Sequence, residues 1–228
     1  MKTTDYTASD AREVLACSLA EAVAAALRED LVEQARATLI VSGGSTPVPF
    51  FKALSRQHLD WARVDVTLAD ERWVGEDSQD SNTRLVKQHL IAQEASAAVF
   101  HPLVNQADSP EEGVSTLEAQ MAQLSWPASV VVLGMGGDGH TASLFPDSPQ
   151  LAYGLETDKL LLAVRSPSVP QARISFSASA LSNARRHFLH VTGDEKRSVF
   201  ADAFGGNDVK ALPIRAFMSQ ALSLYWAP

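Results

Sequence analysis

Cysteine is almost absent from these 228 residues, since Cys17 stands alone. One thiol cannot close an internal disulfide, so the expected setting is a reducing cytoplasm. Long apolar runs are missing too. No stretch reaches the roughly 18 residues of a membrane span, so no membrane partner is expected. The opening MKTTDYTASD has neither the basic start nor the apolar stretch of a signal peptide. Positive charge is in short supply, with 19 Lys and Arg against 27 Asp and Glu, a formal net charge of −8. Nucleic-acid binding rests on neutralising phosphates, so no nucleic-acid partner is expected. Any anionic ligand must be held by a local basic pocket, because the global field does not steer it in. Histidines at metal-ligand spacing and cysteine clusters are also lacking, so no metal is expected. No repeat, low-complexity tract or clear linker breaks the chain, and residues 1–228 read as a single domain. Nothing sets the oligomeric state, and a monomer is the default expectation.

Hydrophobic residues make up 46% of the chain, enough for a sizeable core. Val14, Leu15, Leu19, Val23, Leu27 and Leu31 recur at helical spacing and predict a first helix over roughly 9–36. TLIV then reads as a buried strand, and Pro47 opens a helix to about 57. VDVTLA, a short strand near Ala98 to His101, SVVVLG, KLLLAV (Lys159 to Val164), RHFLHVT (Arg186 to Thr192) and LSLYW read as further strands. Helices are expected near Ser81, over Pro110 to Leu124, and in DEKRSVFADAF. RSPSVPQA (Arg165 to Ala172) reads as a long loop. Alternating strands and helices predict an α/β fold: a Rossmann-like, mostly parallel sheet with helices on both faces.

Ligands of such sheets bind at the carboxyl ends of the strands. Four clusters fall there. SGGSTP (Ser42 to Pro47) offers glycines for close backbone approach, the hydroxyls of Ser45 and Thr46, and a helix N-terminus, which together make an anion cradle. ADERWV places Asp70, Glu71 and Arg72 at a strand end. Such a triplet is ordinarily solvated surface, but Arg72 turned toward SGGSTP would grip a phosphate with its planar fork. VTGDEKR puts Lys196 just inside a helix as a point charge, although a solvated helix lysine is the plainer reading. Arg173 reads as a loop arginine without a decisive signal, and His187 and His190 read as structural strand histidines.

The fourth cluster, VVVLGMGGDGHTASLFPD, contains G-x-G-x-x-G at Gly134, Gly136 and Gly139. A dinucleotide fingerprint needs a helix of about three turns after the last glycine, and an acid about 20 positions on, past a second strand. Pro146 and Pro149 interrupt that helix, and Glu156 and Asp158 precede the next strand. The pattern therefore reads as a turn presenting His140 with Asp138 as its orienting carboxylate, a general base near neutral pH. No dinucleotide or other cofactor is expected.

SGGSTP, DERWV with Ser81–Asn82, GMGGDGHTASLFP, ARIS and GDEK follow one another in this order over about residues 10–226. In these motifs the sequence resembles the 6-phosphogluconolactonases, within the superfamily that includes glucosamine-6-phosphate deaminases. The resemblance implies a cofactor-free hydrolase that converts 6-phospho-D-glucono-1,5-lactone to 6-phospho-D-gluconate in the oxidative pentose phosphate pathway. It places Gly43, Gly44, Ser45, Arg72, Arg173 and Lys196 at the phosphate and His140 with Asp138 at the lactone carbonyl. Thr46, Asp70, Asn82 and Gly136 complete the expected substrate-binding set. Backbone N–H groups of the Gly134–Gly139 turn are expected to meet the oxyanion. Gly75 stands where proline is common, and Ser175 where threonine is usual. Deaminases resembling this turn carry a glutamate five residues past the histidine, and Phe145 stands there instead. A deaminase-like isomerase and a non-catalytic sugar-phosphate sensor are the alternatives, although the chain has no basic segment for a DNA-binding module.

Overall fold

A computed structural model describes residues 8–228. The first seven residues of the polar MKTTDYTASD opening lie outside the described residues. The alanine-rich start forms one long helix, α1 (Ala8–Glu33), three residues shorter at its end than the periodicity predicts. It buries Leu19, Val23 and Leu27 along one stripe. Strand β1 (Ala37–Val41) follows and leads into α2 (Val48–Leu54). Then come β2 (Val64–Leu68), β3 (Asp70–Arg72), α3 (Asn82–His89), β4 (Val99–His101), α4 (Pro110–Met121) and β5 (Ala128–Leu133). The remainder is α5 (Leu151–Glu156), β6 (Leu161–Val164), β7 (Arg173–Phe176), α6 (Ala178–Ser182), β8 (Ala184–Thr192), α7 (Asp194–Phe204) and β9 (Leu222–Ala227).

Six strands form the main sheet in the order β4-β2-β1-β5-β8-β9, and every pairing in it is parallel. The predicted α/β fold with a mostly parallel sheet is the fold observed. All residues of β1, β2 and β5 are buried, as expected of central strands covered on both faces. Phe50 and Phe51 of α2 and Leu117 and Met121 of α4 join the same core.

A second sheet of three strands, β3-β7-β6, is antiparallel. Two expectations change here. KLLLAV is a strand only from Leu161, and it belongs to this small sheet rather than to the parallel one. Arg173 is not a loop residue: it opens β7, directly opposite Arg72 of β3. RSPSVPQA between β6 and β7 is a loop, as expected.

The order of the main sheet puts a switch point between β1 and β5. From β1 the chain builds outward through β2 and β4, and from β5 it builds the other way through β8 and β9. A crevice opens beyond the carboxyl ends at such a reversal. The loops that leave β1 and β5 there are SGGSTP and GMGGDGH.

Candidate active site

A cavity of about 360 Å³ occupies this crevice. Its walls bring together most of the residues singled out from sequence: Gly43, Gly44, Ser45, Thr46, Asp70, Arg72, Asn82, Gly136, His140, Arg173 and Lys196. Asp138 does not line it. It stands behind His140, with Oδ1 2.5 Å from the ring Nδ1 and 3.1 Å from the His140 backbone N–H.

The turn that carries His140 is built for this contact. Gly139 has φ +75°, a left-handed conformation that suits glycine, and a Cβ there would lie 2.5 Å from Leu212 Cδ2. Gly136 lies so close under the imidazole that a Cβ would sit 2.3 Å from Nδ1. Thr141 Oγ1 donates to the Gly134 carbonyl at 2.7 Å, and Gly136 N–H to the His140 carbonyl at 2.9 Å, so the turn is tied at both ends. No helix follows until Leu151, which leaves a dinucleotide without the helix start it requires.

With Nδ1 facing the Asp138 carboxylate, the ring hydrogen belongs on Nδ1 and the lone pair on Nε2. Burial raises the Asp138 pKa, but the hydrogen bond and charge of His140 outweigh it, and the carboxyl is held below its ordinary value. Phe145 packs against the ring at 4.5 Å between centroids. It is buried and apolar where a proton-relaying glutamate would have to stand.

The oxyanion expectation narrows. The N–H groups of Gly134, Gly136 and Gly139 already bond Ser42 Oγ, the His140 carbonyl and the Gly136 carbonyl. These three N–H groups are therefore already engaged and not free to receive a developing negative charge.

The cationic end forms where β3 meets β7. The DER triplet is not solvated surface: Asp70 is 6% exposed and Glu71 1%. Asp70 Oδ2 accepts from Ser143 Oγ at 2.5 Å and lies 3.6 Å from Arg173 Nη1. Burial pushes the Arg173 pKa down and the Asp70 charge pulls it back up. Arg72 donates from Nη1 to the Asp80 carbonyl. The Nε–H groups of both arginines are buried with no partner among the described residues. Two guanidinium groups with unspent donors beside one cavity have the chemistry to hold an anion.

Gly43 and Asn82 form one contact. Asn82 Nδ2 donates to the Asp70 carbonyl at 3.1 Å, and its side chain fills the place of the missing Gly43 Cβ, which would lie 2.1 Å from Cγ. Asn82 therefore fastens the β1 loop to β3. Glu71 and Ser143 carry this framework without touching the cavity, and His190 lines it. Sequence reading assigned no role to Ser143 and a structural one to His190, because Ser143 acts through Asp70, 73 positions away, and His190 reads as part of a strand.

The family model for glucosamine-6-phosphate isomerases and 6-phosphogluconolactonases matches residues 10–226. A 6-phosphogluconolactonase of Pseudomonas aeruginosa is 42% identical over 212 residues, covering 92% of this chain and 89% of its own length. One from Rhizobium meliloti is 41% identical and covers 94% of each chain. The crystal structure of a 6-phosphogluconolactonase from Shewanella baltica superposes with a TM-score of 0.93 at 41% identity, over 94% of each chain. A monomeric glucosamine-6-phosphate deaminase shares the fold, with a TM-score of 0.77 at 17% identity over 94% of this chain and 93% of its own. The chain belongs to the family of glucosamine-6-phosphate isomerases and 6-phosphogluconolactonases.

Proposed function

We propose that this cavity hydrolyses 6-phospho-D-glucono-1,5-lactone to 6-phospho-D-gluconate, the lactone step of the oxidative pentose phosphate pathway, with His140 as the general base. The observation that carries the reading is the His140–Asp138 contact at 2.5 Å, with His140 lining the same cavity as Arg72, Arg173 and Lys196. Relatives of that name at about 40% identity support the substrate.

The phosphate docks among the SGGSTP loop, Arg72, Arg173 and Lys196. The lactone carbonyl then lies over the His140 turn. His140 Nε2 takes a proton from water as the water oxygen bonds C1. The tetrahedral intermediate collapses, the C1–ring oxygen bond breaks, and the imidazolium returns its proton to the ring oxygen. Asp138 holds the ring in the Nδ1–H tautomer and stabilises the transient imidazolium. The free, exposed Cys17 suits a reducing cytoplasm. Among the described residues no helix is long and apolar enough to cross a membrane.

The deaminase reading is disfavoured by Phe145, which offers no proton relay for ring opening. The test is hydrolysis of freshly prepared lactone with the spontaneous rate subtracted. His140→Ala should lower kcat by about 10² to 10⁴-fold with the fold intact. Near-normal turnover in that variant removes His140 from the mechanism.

A further inference from the structure

His190 lies near the end of β8, opposite Tyr225 of β9, and it is 5% exposed. It nonetheless lines the cavity. Phe50 of α2 closes one side of the ring, edge-on at 6.0 Å between centroids. Lys196, in the first turns of α7, is the charged group that bears on it. The Nδ1 atom is sealed from solvent without a hydrogen-bond partner, and no described residue bonds Nε2. Burial, helped by the Lys196 charge, pushes the pKa of this imidazole down to about 4, so the ring is neutral at pH 7.

A neutral imidazole has a single N–H. Buried N–H groups without an acceptor are rarer than under-used acceptors, because an unmade donor costs the desolvation it cannot recover. The hydrogen therefore belongs on Nε2, the nitrogen that is not sealed in. His190 thus has one donor, and nothing in the chain to receive it.

We propose that His190 is a substrate-binding residue that donates its Nε2–H to the anionic end of the substrate, beside Lys196. This rests on the reading of the substrate as a phosphorylated sugar lactone. The arrangement pairs a charged donor with a neutral one. A neutral donor adds a directed hydrogen bond to phosphate without the like-charge repulsion that another cation next to Lys196 would bring. Phe50 and the strand backbone fix the ring, so little side-chain freedom is lost on binding.

The direct test is imidazole ¹H–¹⁵N correlation on wild-type protein, free and with saturating 6-phosphogluconate or inorganic phosphate. The free protein should show His190 as the neutral Nε2–H tautomer, and either anion should shift that proton downfield. An Nδ1–H tautomer, or no shift at saturation with either anion, overturns the proposal. Kinetics give a second readout. His190→Leu should raise KM for the phosphorylated lactone about tenfold with kcat within about twofold, the size of one hydrogen bond to a charged group. His190→Gln, whose side-chain amide can place a donor near the same point, should recover most of that loss. Loss of kcat and melting temperature together, with no rescue by Gln, marks a packing role and overturns the proposal. Should the wild type leave the lactone unhydrolysed while phosphate still shifts the His190 proton, the lactonase reading falls and the anion contact stands.

Discussion

Arg72 and Arg173 show what single residues contribute to this cavity. They face each other across β3 and β7, and each leaves its Nε–H unpartnered. Asp70 lies against Arg173, while Arg72 is anchored to the Asp80 carbonyl. Arg72 is thus the less compensated of the two. Arg72→Ala should raise KM for the phosphorylated lactone by about tenfold or more, the scale of a charge-assisted hydrogen bond, and leave kcat nearly unchanged. An unphosphorylated lactone should be indifferent to the change; equal losses on both substrates would remove the phosphate role. At Gly43 the constraint is space rather than backbone conformation. Gly43→Ala has to displace Asn82 and break its bond to the Asp70 carbonyl. The expected cost is about 1–3 kcal/mol by denaturant unfolding, the usual penalty for overpacking, together with a raised KM. An unchanged unfolding midpoint and KM would mean that the β1 loop and β3 are not coupled through this contact.

At the scale of elements, the short β3 organises more than its three residues suggest. Glu71 accepts from the backbone N–H groups of Arg72, Asn82 and Thr83 at 2.8, 2.9 and 2.6 Å, and so satisfies the start of α3. Ser81 is the N-cap and accepts from Arg84 N–H at 3.1 Å. Burial pushes the Glu71 pKa up, and these N–H donors pull against it. Glu71→Ala strands several donors at once. A loss of about 3 kcal/mol or more is expected, with Glu71→Gln intermediate, since each unmade bond costs about 1–3 kcal/mol. Thermal unfolding checks this, and a melting temperature equal to wild type would show that water replaces the carboxylate freely. The same strand explains the limit of sequence reading. The long elements were legible because α1 repeats leucine and valine at helical spacing and β5 carries the apolar run Val130 to Leu133. The small sheet was not, because β3 and β7 have three and four residues and their pairing joins positions about a hundred residues apart. Periodicity cannot register a pairing so short and so distant. His140 was legible because glycines and Asp138 surround it, whereas His190 sat inside an ordinary buried-strand pattern.

At the scale of the whole molecule, the buried histidines should set the acid limit of stability. The carboxylate at Asp65 is a later contributor. Burial raises its pKa, but Arg36 at 2.6 and 2.9 Å and His101 at 2.7 Å outweigh that, and it is held below its ordinary value of 3.8. Its stabilisation is present above pH 3.8 and is lost only as pH falls through the lower folded value. His190 acts earlier. Its pKa falls from 6.5 in the unfolded chain to about 4 in the fold. The unfolded state therefore binds the proton first. Stability is complete above pH 6.5 and drains away as pH falls toward 4, by about 3 kcal/mol in all. His187, lowered chiefly by burial, adds in the same direction. Unfolding free energy measured in denaturant should thus decline between pH 6.5 and 4, above the range in which Asp65 acts. His190→Gln removes the titrating group, so its stability should fall less steeply across that window. Parallel curves for variant and wild type would show that the His190 imidazole is not held neutral by the fold.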